Sequence, residues 1–251
     1  MQKPLQKKTL EFRELLRSDS ATRMRAEWNE LVSEFSAGTG VESGDLAVFF
    51  LELPLGSLSS EEQSEWVAQQ AKSLSCEDQM KLQGLTSPRR RLEFCVGRSL
   101  KSLCWDRFPG AEISLSHSVR ISEKDSLLGC VAVARRCGRA GETSLFRVGV
   151  DLEAAARPVS DGVFRKLVPE EAARYWEEQR GRLGRIRGWC EREALWKANP
   201  SSDRGILLDY QRGRGGRYEF RAQLSPQFWT RSVQVGDWVV AFALGSSEVA
   251  R

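Results

Sequence analysis

Residues 189–197 read Trp189-Cys190-Glu191-Arg192-Glu193-Ala194-Leu195-Trp196-Lys197. Each residue of a helix turns about 100° around the axis, so Trp196, Trp189, Glu193, Lys197, Cys190 and Ala194 share one part of the circumference. Glu193 and Lys197 are therefore flanked by apolar side chains, while Leu195, Glu191 and Arg192 fall on the opposite arc. Charges on a partly buried face are costly unless they are paired or bind something charged. Two chemistries fit: an i,i+4 ion pair, or a carboxylate and an ammonium serving a bound ligand. Further carboxylates stand at Phe146-Arg147-Val148-Gly149-Val150-Asp151-Leu152-Glu153. Side chains alternate along a strand, so Asp151 and Glu153 point the same way and repel each other unless a cation holds them. With Glu193 as a third oxygen donor, the set suits Mg²⁺, which takes a few carboxylates and completes its shell with water and phosphate oxygens. The single histidine, His117, lies between Ser116 and Ser118, where its imidazole can donate to a phosphate or ribose oxygen.

Positioning such a set requires strands and helices in a particular order. Helical stretches are expected at 9–17 and 22–35, the latter ended by Gly38-Thr39-Gly40,. A buried strand follows at 46–53. Ser59 with Glu62 three residues on forms a capping box for a helix through Trp66 to 71. A long helix over 88–105 and strands at 112–117 and 127–134 complete the first half. The second half repeats that order: a strand at 146–153, helices at 169–178 and 186–198, and strands near 206–210, 217–222, 230–235 and 237–244. The repetition suggests two α+β halves about a pseudo-twofold axis, with a cleft between them.

Composition narrows the partners. The net charge is +4, yet arginines cluster at Arg89, Arg90, Arg91 and Arg98, at Arg180, Arg182, Arg185 and Arg187, and at Arg212, Arg214 and Arg217. Such clusters suit phosphate or an acidic protein. Six scattered cysteines without a Cys-x-x-Cys pair, beside one histidine, argue for reduced thiols in a cytoplasm and against zinc. The first ten residues are polar and lysine-bearing, so no secretory signal is expected. The longest apolar run, 46–51, is too short to cross a membrane.

Taken in order, Ser116-His117-Ser118, then Gly149-Val150-Asp151-Leu152-Glu153, then Trp189-x-x-Arg192-Glu193-x-x-x-Lys197 resemble the motifs of the 4'-phosphopantetheinyl transferases of the monomeric, two-lobed type. Pro88-Arg89-Arg90-Arg91-x-Glu93-Phe94-x-x-Gly97-Arg98 is similar to that family's first-lobe helix, which helps to hold coenzyme A. The resemblance runs from about residue 46 to 244. It implies an α+β fold of two similar lobes, at 43–144 and 145–251, with the active site between them and residues 1–42 as an N-terminal helical extension. The implied reaction moves phosphopantetheine from coenzyme A to a serine of an acyl or peptidyl carrier protein and releases 3',5'-ADP.

The resemblance also assigns roles. Asp151, Glu153 and Glu193 are expected to hold Mg²⁺, with Mn²⁺ as the substitute. Glu193 takes the serine proton, and Lys197 stabilises the departing phosphate. Arg90, Arg91, Arg98, Ser116 and His117 join Lys197 in binding coenzyme A. The carrier, an acidic helical bundle, docks near Val163, Phe164, Arg165 and Lys166 on a basic surface. The chain departs from the family by having Arg107-Phe108-Pro109-Gly110-Ala111 where a Gly-Lys-Pro or Gly-Arg-Pro segment is usual, and Arg192 where lysine is usual. The alternative is therefore a weakened homologue that binds coenzyme A or a carrier without transfer. A nucleic-acid-binding module would draw on the arginine clusters, but the acidic strand would repel a phosphate backbone.

Overall fold

The computed structural model describes residues 13–14, 19–39, 46–53, 59–109, 111–119, 127–134, 146–168, 170–179, 181–199, 210–212, 217–220 and 227–246. Over these the chain is α+β, with helices packed on two antiparallel sheets. The first sheet has the order β1 (Arg13–Glu14), β2 (Leu46–Leu53), β4 (Leu127–Ala134), β3 (Glu112–Val119). The second has the order β5 (Phe146–Ala154), β9 (Trp238–Ser246), β8 (Gln227–Val235), β7 (Arg217–Phe220), β6 (Tyr210–Arg212). Strands β8 and β9 form a tight hairpin, with Val235 opposite Trp238 and Gly236 at φ 56° in the turn. A positive φ at a two-residue turn favours glycine there.

One face of the first sheet carries α2 (Ser60–Ala71), α3 (Cys76–Gln83) and α4 (Pro88–Arg107). The capping box that opens α2 is formed: Glu62 N–H donates to Ser59 Oγ at 3.2 Å and Ser59 N–H to Glu62 Oε2 at 2.7 Å. Helix α4 starts with Ser87 as cap and Pro88 in its first turn, where the missing N–H has no partner to lose. Its buried Leu92, Cys95, Val96 and Leu100 pack with Trp66 and Val67 of α2 and with Phe49, Ile113 and Leu115 of the sheet. Helix α3 is absent from the sequence expectation because it is short and largely polar; Ser75 caps it by accepting from Asp78 N–H.

The second sheet is covered on both faces. Alternation along β5 sends Val148, Val150 and Leu152 one way and Gly149, Asp151 and Glu153 the other. The first set joins Val240, Phe242 and Leu244 of β9 beneath α1 (Asp19–Thr39), whose Met24, Trp28, Leu31, Val32 and Phe35 are buried there. Leu46, Val48 and Phe50 of β2 complete this core. Trp28 meets Phe242 edge-on at 5.3 Å and Phe35 meets Trp229 at 5.1 Å, a favoured aromatic geometry. Helix α1, for which the sequence offers no role, thus seals the second sheet. Of the helix expected at 9–17, Arg13 and Glu14 pair instead as a strand with Glu52 and Leu51 of β2, and its other positions lie outside the described residues. Arg13 and Glu14 cover an edge whose backbone groups would otherwise need water.

Arg231 on β8 fastens α1 in place. Its guanidinium meets Glu27 at 3.4 Å and Glu30 at 2.8 Å, and it also pairs with Glu34. The side chain retains 26% exposure, so solvent weakens each pair. Arg231→Met should cost about 1 kcal/mol, as read by urea unfolding. The loss should shrink as salt is raised, whereas a loss insensitive to salt would point to packing of the stem instead.

The opposite face of the second sheet receives α7 (Arg182–Ala198), through Ile186, Cys190, Ala194, Leu195 and Ala198 against Phe228, Val239, Ala241 and Ala243. Small residues on the strands let this helix sit close. A second layer, α5 (Asp161–Leu167) and α6 (Glu170–Glu178), packs on α7 from outside. The Trp176 ring of α6 lies so near Gly188 that an added Cβ would stand 2.8 Å from it. Glu191 and Arg192 are each only 1% exposed, and Glu191 faces Thr230 and Ser232 of β8. That corrects the reading of a single buried arc centred on Glu193 and Lys197.

Candidate functional site

The site is built where the edge of one sheet crosses the other. Strand β5 pairs with β9 on one side only, and its other edge meets β3. No backbone ladder joins β3 and β5, which belong to separate sheets. Serine hydroxyls take its place: Val150 N–H donates to Ser114 Oγ at 3.0 Å and Leu152 N–H to Ser116 Oγ at 3.1 Å. The spacing of two matches on both strands, because side chains on β3 and edge N–H groups on β5 share the same period. Ser116 does more than accept: its hydroxyl donates to Asp151 Oδ1 at 3.1 Å.

Asp151 is 5% exposed, so its charge must be met by specific partners. Lys197 of α7 supplies one, with Nζ 2.7 Å from Asp151 Oδ1 and 3.0 Å from the Val150 carbonyl oxygen. This contact depends on Gly149. An added Cβ there would lie 1.8 Å from the Ala194 carbonyl oxygen and 2.8 Å from Ala198 N. The helix rests directly on the strand backbone, which brings the Lys197 ammonium within reach of Asp151. The buried Cys190 thiol lies on the same side. Burial, and then the negative charge of Asp151, push it well above the ordinary thiol range, so it stays protonated and is no nucleophile at neutral pH.

The other two carboxylates stand apart. Glu153, one pleat beyond Asp151, is ion-paired with Arg157, whose guanidinium also lies 5.6 Å from the Trp189 ring centroid. Glu193 is half-buried on α7, one turn before Lys197. Among the described residues no group of three or more His, Cys, Asp or Glu side chains is gathered around one point. The donor chemistry nevertheless suits a hard cation. Asp151 Oδ2 is buried with no hydrogen-bond partner, an uncommon condition for a carboxylate oxygen. Uniting the three carboxylates requires Glu153 to leave Arg157.

Beside this cluster lies a cleft of about 510 Å³, lined by Glu93, Phe94, Gly97, Arg98 and Lys101 of α4, Glu112 to Leu115 of β3, and Trp196 and Lys197 of α7. Arg98 pairs with Asp78 of α3 at 2.9 Å and stacks 5.0 Å from the Phe94 centroid. Lys101 sits 4.4 Å from the Trp105 centroid. The cleft thus offers three cations, two carboxylates and two aromatic side chains, Phe94 and Trp196, a setting for a phosphorylated, partly aromatic ligand. Arg90 and Arg91 are exposed in the first turn of α4 and do not line it. His117 is paired in β3 opposite Gly129, and its side chain lies outside the described residues. Phe164, expected at a docking surface, is 1% exposed and packs with Val168, Ala173 and Trp176. Val163, Arg165 and Lys166 are exposed on α5.

A polar cluster behind α7 escaped sequence reasoning. Glu191 accepts from Ser232 Oγ at 2.8 Å and Thr230 Oγ at 3.3 Å, while Arg187 Nε donates to Ser232 Oγ at 3.2 Å. The signal was Thr230 and Ser232 two apart on β8, sharing a face with Phe228. Their hydroxyls satisfy a carboxylate that burial would otherwise penalise.

No protein-family model matches the chain, and no curated protein matches it. Among the described residues no helix is long and apolar enough to cross a membrane.

Proposed function

We propose that the chain is a 4'-phosphopantetheinyl transferase that moves phosphopantetheine from coenzyme A to a serine of an acyl or peptidyl carrier protein. The observation that carries this reading is the buried Asp151–Lys197 pair at the β5–α7 crossing, opening beside a cationic cleft between α4 and α7. In this reading the two sheets, each with a long helix laid on it, are lobes related by a pseudo-twofold axis, at 43–144 and 145–251. The protein acts as a cytoplasmic monomer with no nucleic-acid or membrane partner.

The cleft would take coenzyme A, with Arg98 and Lys101 facing its phosphates and the Phe94 and Trp196 side chains its adenine. Glu193 would accept the proton of the carrier serine as that oxygen forms its bond to the phosphorus of the phosphopantetheine arm. The bond to the other phosphate breaks, and 3',5'-ADP leaves with its new charge facing Lys197. Asp151, Glu153 and Glu193 would hold Mg²⁺ or Mn²⁺, which supplies charge neutralisation at the pyrophosphate. Asp151 also holds in place the Lys197 ammonium, which lines the cleft.

The test is to incubate the protein with coenzyme A, Mg²⁺ and a panel of apo carriers and weigh the carriers. A mass gain of one phosphopantetheine supports the reading; no gain on any carrier at micromolar enzyme refutes it. Glu193→Gln should lower the rate roughly 100-fold or more while leaving the melting transition in place. Near-normal transfer by that variant would show that Glu193 is not the base.

One observation favours the second reading, a homologue that binds coenzyme A or a carrier without transfer. Two of the three carboxylates are engaged by cations of the chain itself, Asp151 by Lys197 and Glu153 by Arg157. Calorimetric binding of coenzyme A with no mass gain on any carrier would select it.

A further inference from the structure

We propose that Glu112 selects the base of the nucleotide held in the cleft, its carboxylate accepting a hydrogen bond from the exocyclic amine of adenine. This rests on the reading of the cleft as the coenzyme A site. Most charges lining the cleft are already engaged: Glu93 by Arg89 at 2.9 Å, Arg98 by Asp78 at 2.9 Å and Lys197 by Asp151 at 2.7 Å. Lys101 and Glu112 line it too, and among the described residues neither has an ion-pair partner. Lys101 rests instead on the Trp105 ring, 4.4 Å from its centroid. One ammonium and one carboxylate are therefore left for a ligand. The ammonium suits a phosphate. The carboxylate offers only acceptors and repels phosphate, so the part of the ligand beside it must bring N–H or O–H donors.

The chain sets these two charges at one end of the cleft. Lys101 lies within the last two turns of α4. Phe108 N–H closes that helix on the Cys104 carbonyl oxygen at 2.8 Å, Ala111 N–H donates to the Phe108 carbonyl oxygen at 3.2 Å, and Glu112 opens β3. Glu112 thus follows the end of α4 by one tight turn. In the same cleft Phe94 and Trp196 offer a planar ring apolar contact,. On adenine the exocyclic amine is the sole N–H donor of the base, which makes it the group of the ring able to meet Glu112. A ring without that amine would cover a half-buried carboxylate and replace its water with nothing. Polar sites reject analogues by penalties of this kind.

The experiment compares two nucleotides by calorimetry on the full chain and on Glu112→Ala. One is adenosine 3',5'-bisphosphate; the other is purine riboside 3',5'-bisphosphate, which carries hydrogen in place of the amine. Neither probe has the pantetheine arm, so its amides cannot stand in as donors. The unaltered chain should prefer the adenosine form roughly 10-fold, and Glu112→Ala should reduce that preference to less than about twofold. Urea unfolding of the two proteins should coincide, because Glu112 has no ion pair among the described residues to lose. Equal affinity of the unaltered chain for the two nucleotides would overturn the proposal. So would a preference that survives in Glu112→Ala, or failure of both nucleotides to bind. Any of these results alongside a mass gain on a carrier would remove the role of Glu112 and leave the transferase standing. The expected pattern combined with no mass gain on any carrier would uphold Glu112 and refute the transferase instead.

Discussion

Asp151→Asn should cut the proposed phosphopantetheine transfer and destabilise the protein, and the two losses can be separated. The substitution preserves shape but removes the charge that meets Lys197 at 2.7 Å. Lys197 is 24% exposed, so water reclaims part of the orphaned ammonium's solvation. The expected loss of stability is therefore roughly 2 kcal/mol, at or below the usual cost of breaking a buried pair. Transfer should fall by about 1,000-fold or more, since both a cation ligand and the orientation of Lys197 disappear. Combining Asp151→Asn with Lys197→Met should restore most of the stability, because no unpaired charge is left behind. It should restore no transfer. Recovery of activity in the double variant would show that the pair is only structural.

Gly149→Ala gives the second large effect, through geometry alone. The new methyl would stand 1.8 Å from the Ala194 carbonyl oxygen and 2.8 Å from Ala198 N. These are backbone atoms of a helix packed on both sides, so no side chain can swing away. Helix α7 must move by more than an ångström, carrying Glu193 and Lys197 with it. Overpacking of this kind costs about 3 kcal/mol, and a displacement of that size lowers transfer by roughly 100-fold. Gly162→Ala is the contrast: nothing lies within 4 Å of its added Cβ. Inside α5 the alanine should stabilise by about 0.5–1 kcal/mol with transfer unchanged. Urea unfolding and the carrier mass assay on both variants check the pair. A Gly149→Ala protein of full stability would mean that α7 does not rest on the β5 backbone.

What the sequence discloses of the fold is its local periodicity. Strands β2 and β4 fall at their expected bounds because their apolar runs end at turn residues. The Ser59–Glu62 box announces α2, and the parity of β5 puts Asp151 and Glu153 on one face. Burial of Glu191 and Arg192 was not legible, because it depends on elements remote in sequence: Glu191 is met by Thr230 and Ser232 of β8. Nothing in that helix's own pattern reports on those neighbours. The partnership of Ser116 with Asp151 spans 35 positions and depends on how two sheet edges cross. The Ser-His-Ser run suggests hydroxyls near a ligand, whereas the crossing turns Ser116 toward a carboxylate. Likewise Glu153 adjoins Asp151 as alternation requires, but its pairing with Arg157 is a choice among rotamers that alternation does not reach.

The seat of α1 has a consequence for how the chain is made. Its apolar face is sealed by β8 and β9, and Glu27 reaches an Arg231 that lies 204 positions later. At ribosomal speeds of about 5–20 residues per second, that gap lasts roughly ten to forty seconds. Throughout that interval Trp28, Leu31 and Phe35 lack β8 and β9, the strands that finally seal them. Such long-range closure slows folding and leaves the nascent chain sticky along one helix. The three glutamates that later meet Arg231 ride on that helix, so the emerging segment carries its own negative charge beside its apolar stripe. The same residues that lock the finished core keep the unfinished one apart from its neighbours.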